Sequence, residues 1–351
     1  MLNSNDNKIK KYCRINEKDI GPFLTDVFLD YKIVKTNEKN ECDLFLPKGE
    51  NENKMLSFSK NTTISTIDNI NQINKKNLLW LNLSEKYGKK IAGQIIPPTF
   101  NILQKQQLRE FAVDYLFNRG TYILKNEQES ARGILVSNDL KKITQHIFDK
   151  KNLGYPVTVI QKIIKSYLIH NRVFKIRMFL LIKGDKNTNM KHFYLHKLGS
   201  IFYASDPYDK NNLNNNNIIA NGYWYNLIHQ TDYVGFINDK PKTLNDLLKY
   251  FDNQGINSKK IMNKIKGLLK MIFKSVENKI YKNQKNDQFC LLGFDIMIDE
   301  NLKPWIIEFN KGPSTNNYND SNVYYAKKKV WGDIYKLLEN KNNDFYEIYT
   351  S

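Results

Sequence analysis

The stretch "FDIMIDENLKPWIIEFNKGPS", Phe294 to Ser314, sets Asp295, Glu308 and Asn310 into an otherwise apolar run. A buried carboxylate without a partner is strongly penalised or changes its protonation, so acids in such a setting call for something positive between them. Strand residues two apart project to one face, which groups Glu308 with Asn310. A hairpin turning on Asn301 and Leu302 would set Asp295 opposite Glu308 on that same face. Oxygen-only ligation with an amide in the set suits Mg2+, a hard ion that keeps waters and bridges to substrate phosphates. The competing arrangement is a surface-facing Asp295 and a salt-bridged Glu308.

Basic residues elsewhere fit a phosphate ligand. "TYILKNEQESARGILV" puts Lys125 at the end of one apolar run, then a short polar loop, then Arg-Gly opening the next. Loop amides and a lysine point charge can cradle phosphate oxygens in that arrangement. Neither the glycine spacing of a Walker loop nor a GxGxxG is present. "VIQKII" carries Gln161 and Lys162, and in "RVFKIRMFLLI" Lys175 and Arg177 share one strand face. Two cations facing one way along an apolar strand are costly unless they meet anions.

The elements that must position these residues are legible in outline. Short candidate strands ("TDVFLDYKIV", "CDLFLP", "KMLSFS") open the chain, followed by a helix over "NKKNLLWLNLSEKYGKK" that stops near Gly88. "IIPPTFNI" reads as an extended connector and "LQKQQLREFAVDYLFN" as a second helix. Strands follow at 121–125, 133–137, 157–164 and 172–182, and "HFYLHKLGSIFYAS" reads as a hairpin turning at Leu198-Gly199. "NNLNNNNIIANG" is a polar loop, and helices lie near 243–252 and 258–281, the second with a lysine-rich outer face. A last helix spans "SNVYYAKKKVWGDIYKLLEN". Helices before, between and after β-rich runs predict a mixed α/β (α+β) enzyme of two or three lobes.

Bulk properties bound the partners. The 351 residues, 41% hydrophobic and 13% aromatic, suffice for a buried core, and a formal charge of +18 favours an acidic partner. Cys13, Cys42 and Cys290 are odd in number and widely spaced, which argues against a disulfide framework or a zinc site and for a reducing compartment. The N-terminus has no apolar core of signal-peptide length and no stretch approaches a membrane span, so a cytoplasmic protein is expected.

The order of the features is a strand lysine, Arg-Gly, Gln-Lys, a strand arginine, then Asp followed 13 residues later by Glu-x-Asn. It resembles the tubulin-tyrosine ligase family, which includes polyglutamylases and polyglycylases and has an ATP-grasp fold. "GFDIMIDENLKPWIIEFNKGPS" is similar to the family's G-F-D-x-x-[VI]-D-x-x-x-x-[PV]-W-[LI]-[LI]-E-x-N-x-x-P-S. Milder matches begin at "NKKNLLWLNL" and "IIPPTF", so the resemblance covers about two-thirds of the chain.

The resemblance implies a small N-terminal α/β domain (1–70), a central ATP-grasp domain (71–165) and a C-terminal ATP-grasp domain (166–351) with the Mg-binding hairpin. It implies that Asp295, Glu308 and Asn310 hold Mg2+ on ATP phosphates, that Lys125 and Lys76 reach those phosphates, and that Gln161 and Lys162, with Ile163 and Ile164, border adenine. Arg177 falls at the arginine of K-F-D-[IL]-R and would steady an acyl phosphate, and Asn221 in "IIANG" matches the asparagine of H-L-T-N. Val173 and Lys175 stand where the family usually has Lys and Asp in its nucleotide contacts. Lys197 stands where the tyrosine ligases have an arginine that helps hold the incoming amino acid. The loop after Lys125 is a residue short, and Ala220 replaces the threonine before Asn221.

The implied activity is ATP-dependent amide formation between a protein carboxylate, on a tubulin tail or another acidic protein, and a free Glu, Tyr or Gly, by a monomer. The alternatives are an ATP-grasp kinase of a small polyanion such as an inositol phosphate, and a catalytically inactive basic binding protein. A nucleic-acid module would need "KHFYLHKLGSIFY" on an exposed sheet.

Overall fold

The computed structural model describes residues 10–14, 20, 22–47, 58–126, 133–149, 156–220, 240–282, 284–312 and 321–351. The chain runs β1 (Lys11–Cys13), α1 (Pro22–Asp30), β2 (Val34–Lys35), β3 (Leu44–Phe45) and β4 (Thr63–Ile64). Next come α2 (Asn71–Asn74), α3 (Lys76–Ile95), β5 (Thr99–Asn101), α4 (Lys105–Asn118), β6 (Tyr122–Asn126), β7 (Leu135–Ser137), α5 (Leu140–Phe148) and β8 (Val157–Lys162). Then follow β9 (Leu168–Ile169), β10 (Arg172–Gly184), β11 (Lys191–Tyr203), α6 (Asn215–Ile218), α7 (Leu244–Asn253) and α8 (Ser258–Val276). The chain closes with β12 (Gln288–Ile298), β13 (Pro304–Lys311), α9 (Ser321–Leu338) and β14 (Phe345–Thr350).

Two sheets result. The larger has the order β14-β11-β10-β12-β4-β3-β1-β2, with β13 also on β12, and the smaller has the order β5-β8-β6-β7. The mixed α/β class expected from the alternation of elements is the class found. β10 shows why both faces of the large sheet are covered: its residues alternate between two cores. Ile176, Met178, Leu180 and Ile182 pack with Ile265, Leu269 and Phe273 of α8, while Phe179 and Leu181 pack with Phe23 and Val27 of α1 and Val330 and Ile334 of α9. In the small sheet Tyr122, Leu124 and Ile160 bury against Phe111 of α4 and Ile143 of α5. No helix among the described residues is long and apolar enough to cross a membrane.

Several readings need correction. "TDVFLDYKIV" is not a strand up to Asp30 but the body of α1, because Phe23, Val27 and Phe28 are buried at helical spacing. Of "KMLSFS", the first four residues lie outside the described set. α3 does not stop at Gly88; it kinks there, at φ 77, and continues to Ile95.

"HFYLHKLGSIFYAS" is no hairpin: β11 is one strand with an irregularity in its pairing to β10 between Met178 and Leu180. Gly199 serves close approach rather than a turn, since a Cβ there would lie 2.9 Å from the carbonyl oxygen of Arg177. β11 lies inside the sheet between β10 and β14, where Phe193 stacks on Phe273 at 4.1 Å, Tyr203 is buried and Tyr194 packs against the core under α1 and α9.

Cys13 and Cys42 are joined by a disulfide, against the expectation from their spacing, and Cys290 is free and buried. The parallel pairing of β1 with β3 explains it, bringing the two Cα atoms within 5.7 Å.

Candidate active site

Asp295 is the middle of a cross-strand row: Arg177 of β10 pairs with Asp295 of β12, which pairs with Glu308 of β13. The hairpin closes over Asp299 to Lys303, where the Asp299 carboxylate accepts from the Asn301 and Lys303 amides, each at 2.9 Å, and Leu302 takes φ 58. A bulge is essential to the geometry. Ile306 pairs with Ile296 and Glu308 with Asp295, which leaves Ile307 as the extra residue. Strict alternation would put Ile306 and Glu308 on one face; the bulge sends Ile306 into the core and turns Glu308 and Asn310 towards Asp295.

Asp295 is 1% exposed, which removes the surface-facing alternative. Arg177 grips it through Nε and Nη2, the second at 3.1 Å from Oδ2, and Lys175 Nζ lies 2.9 Å from Oδ2. Glu308 takes Lys76 Nζ at 3.3 Å and an N–H of the Asn310 amide at 3.3 Å. Lys76 comes from the first turn of α3. Burial would raise the Asp295 carboxyl, but Arg177 and Lys175 outweigh it and hold the group below its ordinary value. The same contest at Glu308, against Lys76, Lys125, Lys175 and Arg177, leaves it far below the usual carboxylate range. Both acids are therefore anionic at neutral pH.

The small sheet supplies the facing wall. Tyr122 and Leu124 bury towards α4, so the alternate residue Lys125 points away from it. Its ammonium donates to Gln161 Oε1 at 2.6 Å, Gln161 Nε2 donates to Thr99 Oγ1 at 2.8 Å, and Thr99 Oγ1 donates to the Pro97 carbonyl at 2.6 Å. Burial, with repulsion from Lys76 and Lys175 and against the pull of Glu308 and Asp295, lowers the Lys125 amine to about 8.

The structure thus gathers Lys76, Lys125, Gln161, Lys175, Arg177, Asp295, Glu308 and Asn310. Lys162 points the other way, pairing with Asp114 of α4 at 2.7 Å. Ile163 and Ile164 are half-buried just past β8, where the Ile163 amide donates to the Thr121 carbonyl at 3.1 Å. Lys197 lies apart: its side chain is 63% exposed and pairs with Asp344 at 3.1 Å. Asn221 and loop residues 127–132 lie outside the described residues. The Asn-rich segment is more than a polar loop, because Asn215 accepts from the Val136 amide at 3.2 Å and donates to the Ile134 carbonyl at 2.9 Å, bridging to the edge of the small sheet.

Lys327 of α9 was not anticipated. Burial first, and the neighbouring Arg177 guanidinium second, pull its amine down to about 7. A signal existed: Lys327 falls at the helical spacing of the buried Val330, Trp331 and Ile334, whereas its neighbour Lys328 turns out to Asp30 at 2.8 Å.

Four cations around two carboxylates leave the cluster net positive, suited to a polyphosphate. Two carboxylates and an amide are the oxygen donors, and among the described residues no group of three His, Cys, Asp or Glu converges. Such a set fits a hard divalent ion that completes its shell with water and substrate oxygens, and it fits a soft metal poorly.

A family model described as the tubulin-tyrosine ligase family matches residues 54–338. Among curated proteins the chain is similar to tubulin monoglutamylase TTLL4 of Mus musculus, 31% identical over 259 residues, covering 69% of this chain and 21% of that protein. It is similar to tubulin polyglutamylase ttll-4 of Caenorhabditis briggsae, 27% identical over 261 residues, 69% of this chain and 40% of the relative. It is also similar to tubulin polyglutamylase TTLL5 of Mus musculus, 25% identical over 324 residues, 82% of this chain and 23% of the relative. The matched region is thus less than half of each of these longer proteins. With the family model spanning most of its length and the Asp-Glu-Asn hairpin built as described, the chain belongs to the tubulin-tyrosine ligase family.

Proposed function

We propose that the chain is an ATP-dependent carboxylate-amine ligase that joins free glutamate to a carboxylate of tubulin or another acidic protein. The observation that carries this reading is the facing pair Asp295 and Glu308, ringed by Lys76, Lys125, Lys175 and Arg177, in a chain whose relatives are named tubulin glutamylases. An acceptor carboxylate attacks the γ-phosphorus of ATP and ADP leaves, giving an acyl phosphate. The amine of glutamate then attacks the acyl carbon, phosphate leaves with the bond electrons, and the amine gives up a proton as the amide forms.

No protein nucleophile is needed, so catalysis is positioning and charge neutralisation. Lys125, aimed by Gln161, and Lys76 hold phosphate oxygens, and Arg177 steadies the acyl phosphate. Gln161, Ile163 and Ile164 border the adenine. Asp295, Glu308 and Asn310 would hold Mg2+, which when bound offsets phosphate charge. Release of ADP that requires both acceptor protein and glutamate, in a coupled assay, tests the reading; ADP release driven by a small polyanion without any amino acid would replace it with a kinase.

The titration of Lys125 gives a pH dependence. Its amine is charged below about 8 and loses that charge as pH rises through this value. ATP affinity, measured by calorimetric titration, should fall by about tenfold between roughly pH 7 and pH 9, and Lys125→Met should flatten the profile. An equal slope in both proteins would take Lys125 off the phosphates.

Lys197, held by Asp344 in an exposed ion pair, is expected to matter little to chemistry. Lys197→Ala should change turnover by less than about threefold. A hundredfold loss would bring this residue back to the substrate.

A further inference from the structure

α8 has two unlike faces. Ile261, Ile265, Leu269, Ile272 and Phe273 are buried in the core beneath the large sheet. Every exposed residue of the helix is a lysine, asparagine or glycine: Lys259, Lys260, Asn263, Lys264, Gly267, Lys270 and Lys274. The helix has no carboxylate, so like charges four apart, Lys260 with Lys264 and Lys270 with Lys274, oppose it rather than support it. None of these five lysines has an ion-pair partner among the described residues. On α9, by contrast, Lys328, Lys329 and Lys336 are met by Asp30, Asp333 and Asp344. Asn257, Lys259, Lys260, Asn263 and Lys264 line a surface hollow, and Lys264 comes near enough to Lys303 of the β12–β13 turn to add to burial in lowering its amine, against the pull of Asp299.

We infer that the outer face of α8 is a docking surface for an extended acidic segment of a protein partner, separate from the Asp295–Glu308 site. Charge complementarity selects the occupant: lysines without counter-charges gain most from a row of carboxylates. The outer face carries no aromatic ring on which bases could stack. Its apolar residues are committed to the core, so it has none to place in a lipid interface. At about 1.5 Å per helical residue the lysines from Lys260 to Lys274 span about 21 Å, the length of six or seven extended residues.

Residues of β10 alternate between α8 and the opposite face, so the stripe and the site of Lys175 and Arg177 lie on opposite sides of the sheet. One segment of a partner can therefore be held on α8 while another enters the site. The inference shares with the proposed function its acidic protein partner, and binding without ATP separates the two.

The test measures fluorescence anisotropy of labelled decaglutamate with the full chain, at fixed salt. Lys264→Gln, Lys270→Gln and Lys274→Gln together should weaken binding by about tenfold and reduce its salt dependence. A control with the same change of charge at other exposed lysines, Lys86→Gln, Lys141→Gln and Lys210→Gln, should change it by less than about twofold. Equal losses in the two triple variants, or none in the α8 variant, would overturn the inference. So would α8-dependent binding of a single-stranded oligonucleotide or of phosphatidylserine vesicles that is tighter than that of decaglutamate. Binding lost through α8 in a protein that never forms an amide would uphold the docking surface and sink the ligase reading alone.

Discussion

Glu308→Gln is expected to lower turnover on the order of a hundredfold or more, the scale seen when a preorganised electrostatic contact at a reacting centre is lost. The substitution keeps the shape of the side chain, the bulge at Ile307 and the Asn310 contact, and removes one negative charge. That charge now answers Lys76 at 3.3 Å, and through space Lys125, Lys175 and Arg177. Without it one of two anionic donors for a divalent ion is gone, and Lys76 and Lys125 repel each other with less to offset them. Steady-state kinetics at saturating ATP, with a melting curve to show the variant folded, checks the expectation. Near-normal turnover would sink the metal assignment.

Arg177→Ala should abolish ligation, by about a thousandfold or more, while ATP binding stays measurable. The guanidinium sits on the central strand of the site and presents its fork to Asp295, and its charge also reaches Lys327 of α9. The phosphate contacts assigned to Lys76 and Lys125 are made from other elements and survive its removal. Asp295 is buried and would keep Lys175 as its partner, so the variant retains one of two countercharges there. Arg177→Lys separates charge from geometry, because an ammonium cannot reproduce the two-pronged contact. It should recover little activity. Full activity in Arg177→Ala would move the acyl-phosphate site elsewhere.

Much of the site is legible in the sequence because its parts are local. Asp295, Glu308 and Asn310 meet through one turn and one pair of strands, so residue spacing and a two-residue period place them. Lys175 and Arg177 are two apart on a strand and needed only the direction of their face. The same period separates two neighbours: Gln161 and Lys162 are adjacent on β8 and point opposite ways, Gln161 to Lys125 and Lys162 to Asp114. Lys197 enters through the resemblance alone, and nothing near it in the chain signals its exposed pairing with Asp344; Gly199, which reads as a turn, is instead a point of close contact with β10.

The bulge at Ile307 had a local sign, the Ile306-Ile307 doublet that interrupts alternation, but its direction is set by pairing with β12. The Cys13–Cys42 bond depends on how distant elements pack, which spacing along the chain does not encode; for Lys327 the helical spacing with Val330, Trp331 and Ile334 marks an inward-facing residue, while its approach to Arg177 comes from packing alone.

The central claim, amide formation on a protein carboxylate, is tested most directly by intact mass. The purified chain is incubated with tubulin and Mg-ATP, with labelled glutamate, tyrosine or glycine supplied separately, and Glu308→Gln run in parallel. A mass step on tubulin that appears with glutamate, requires ATP and vanishes in Glu308→Gln is the predicted result. Tubulin left unchanged by all three amino acids, while ATP is consumed in a manner that depends on Asp295 and Glu308, would contradict it.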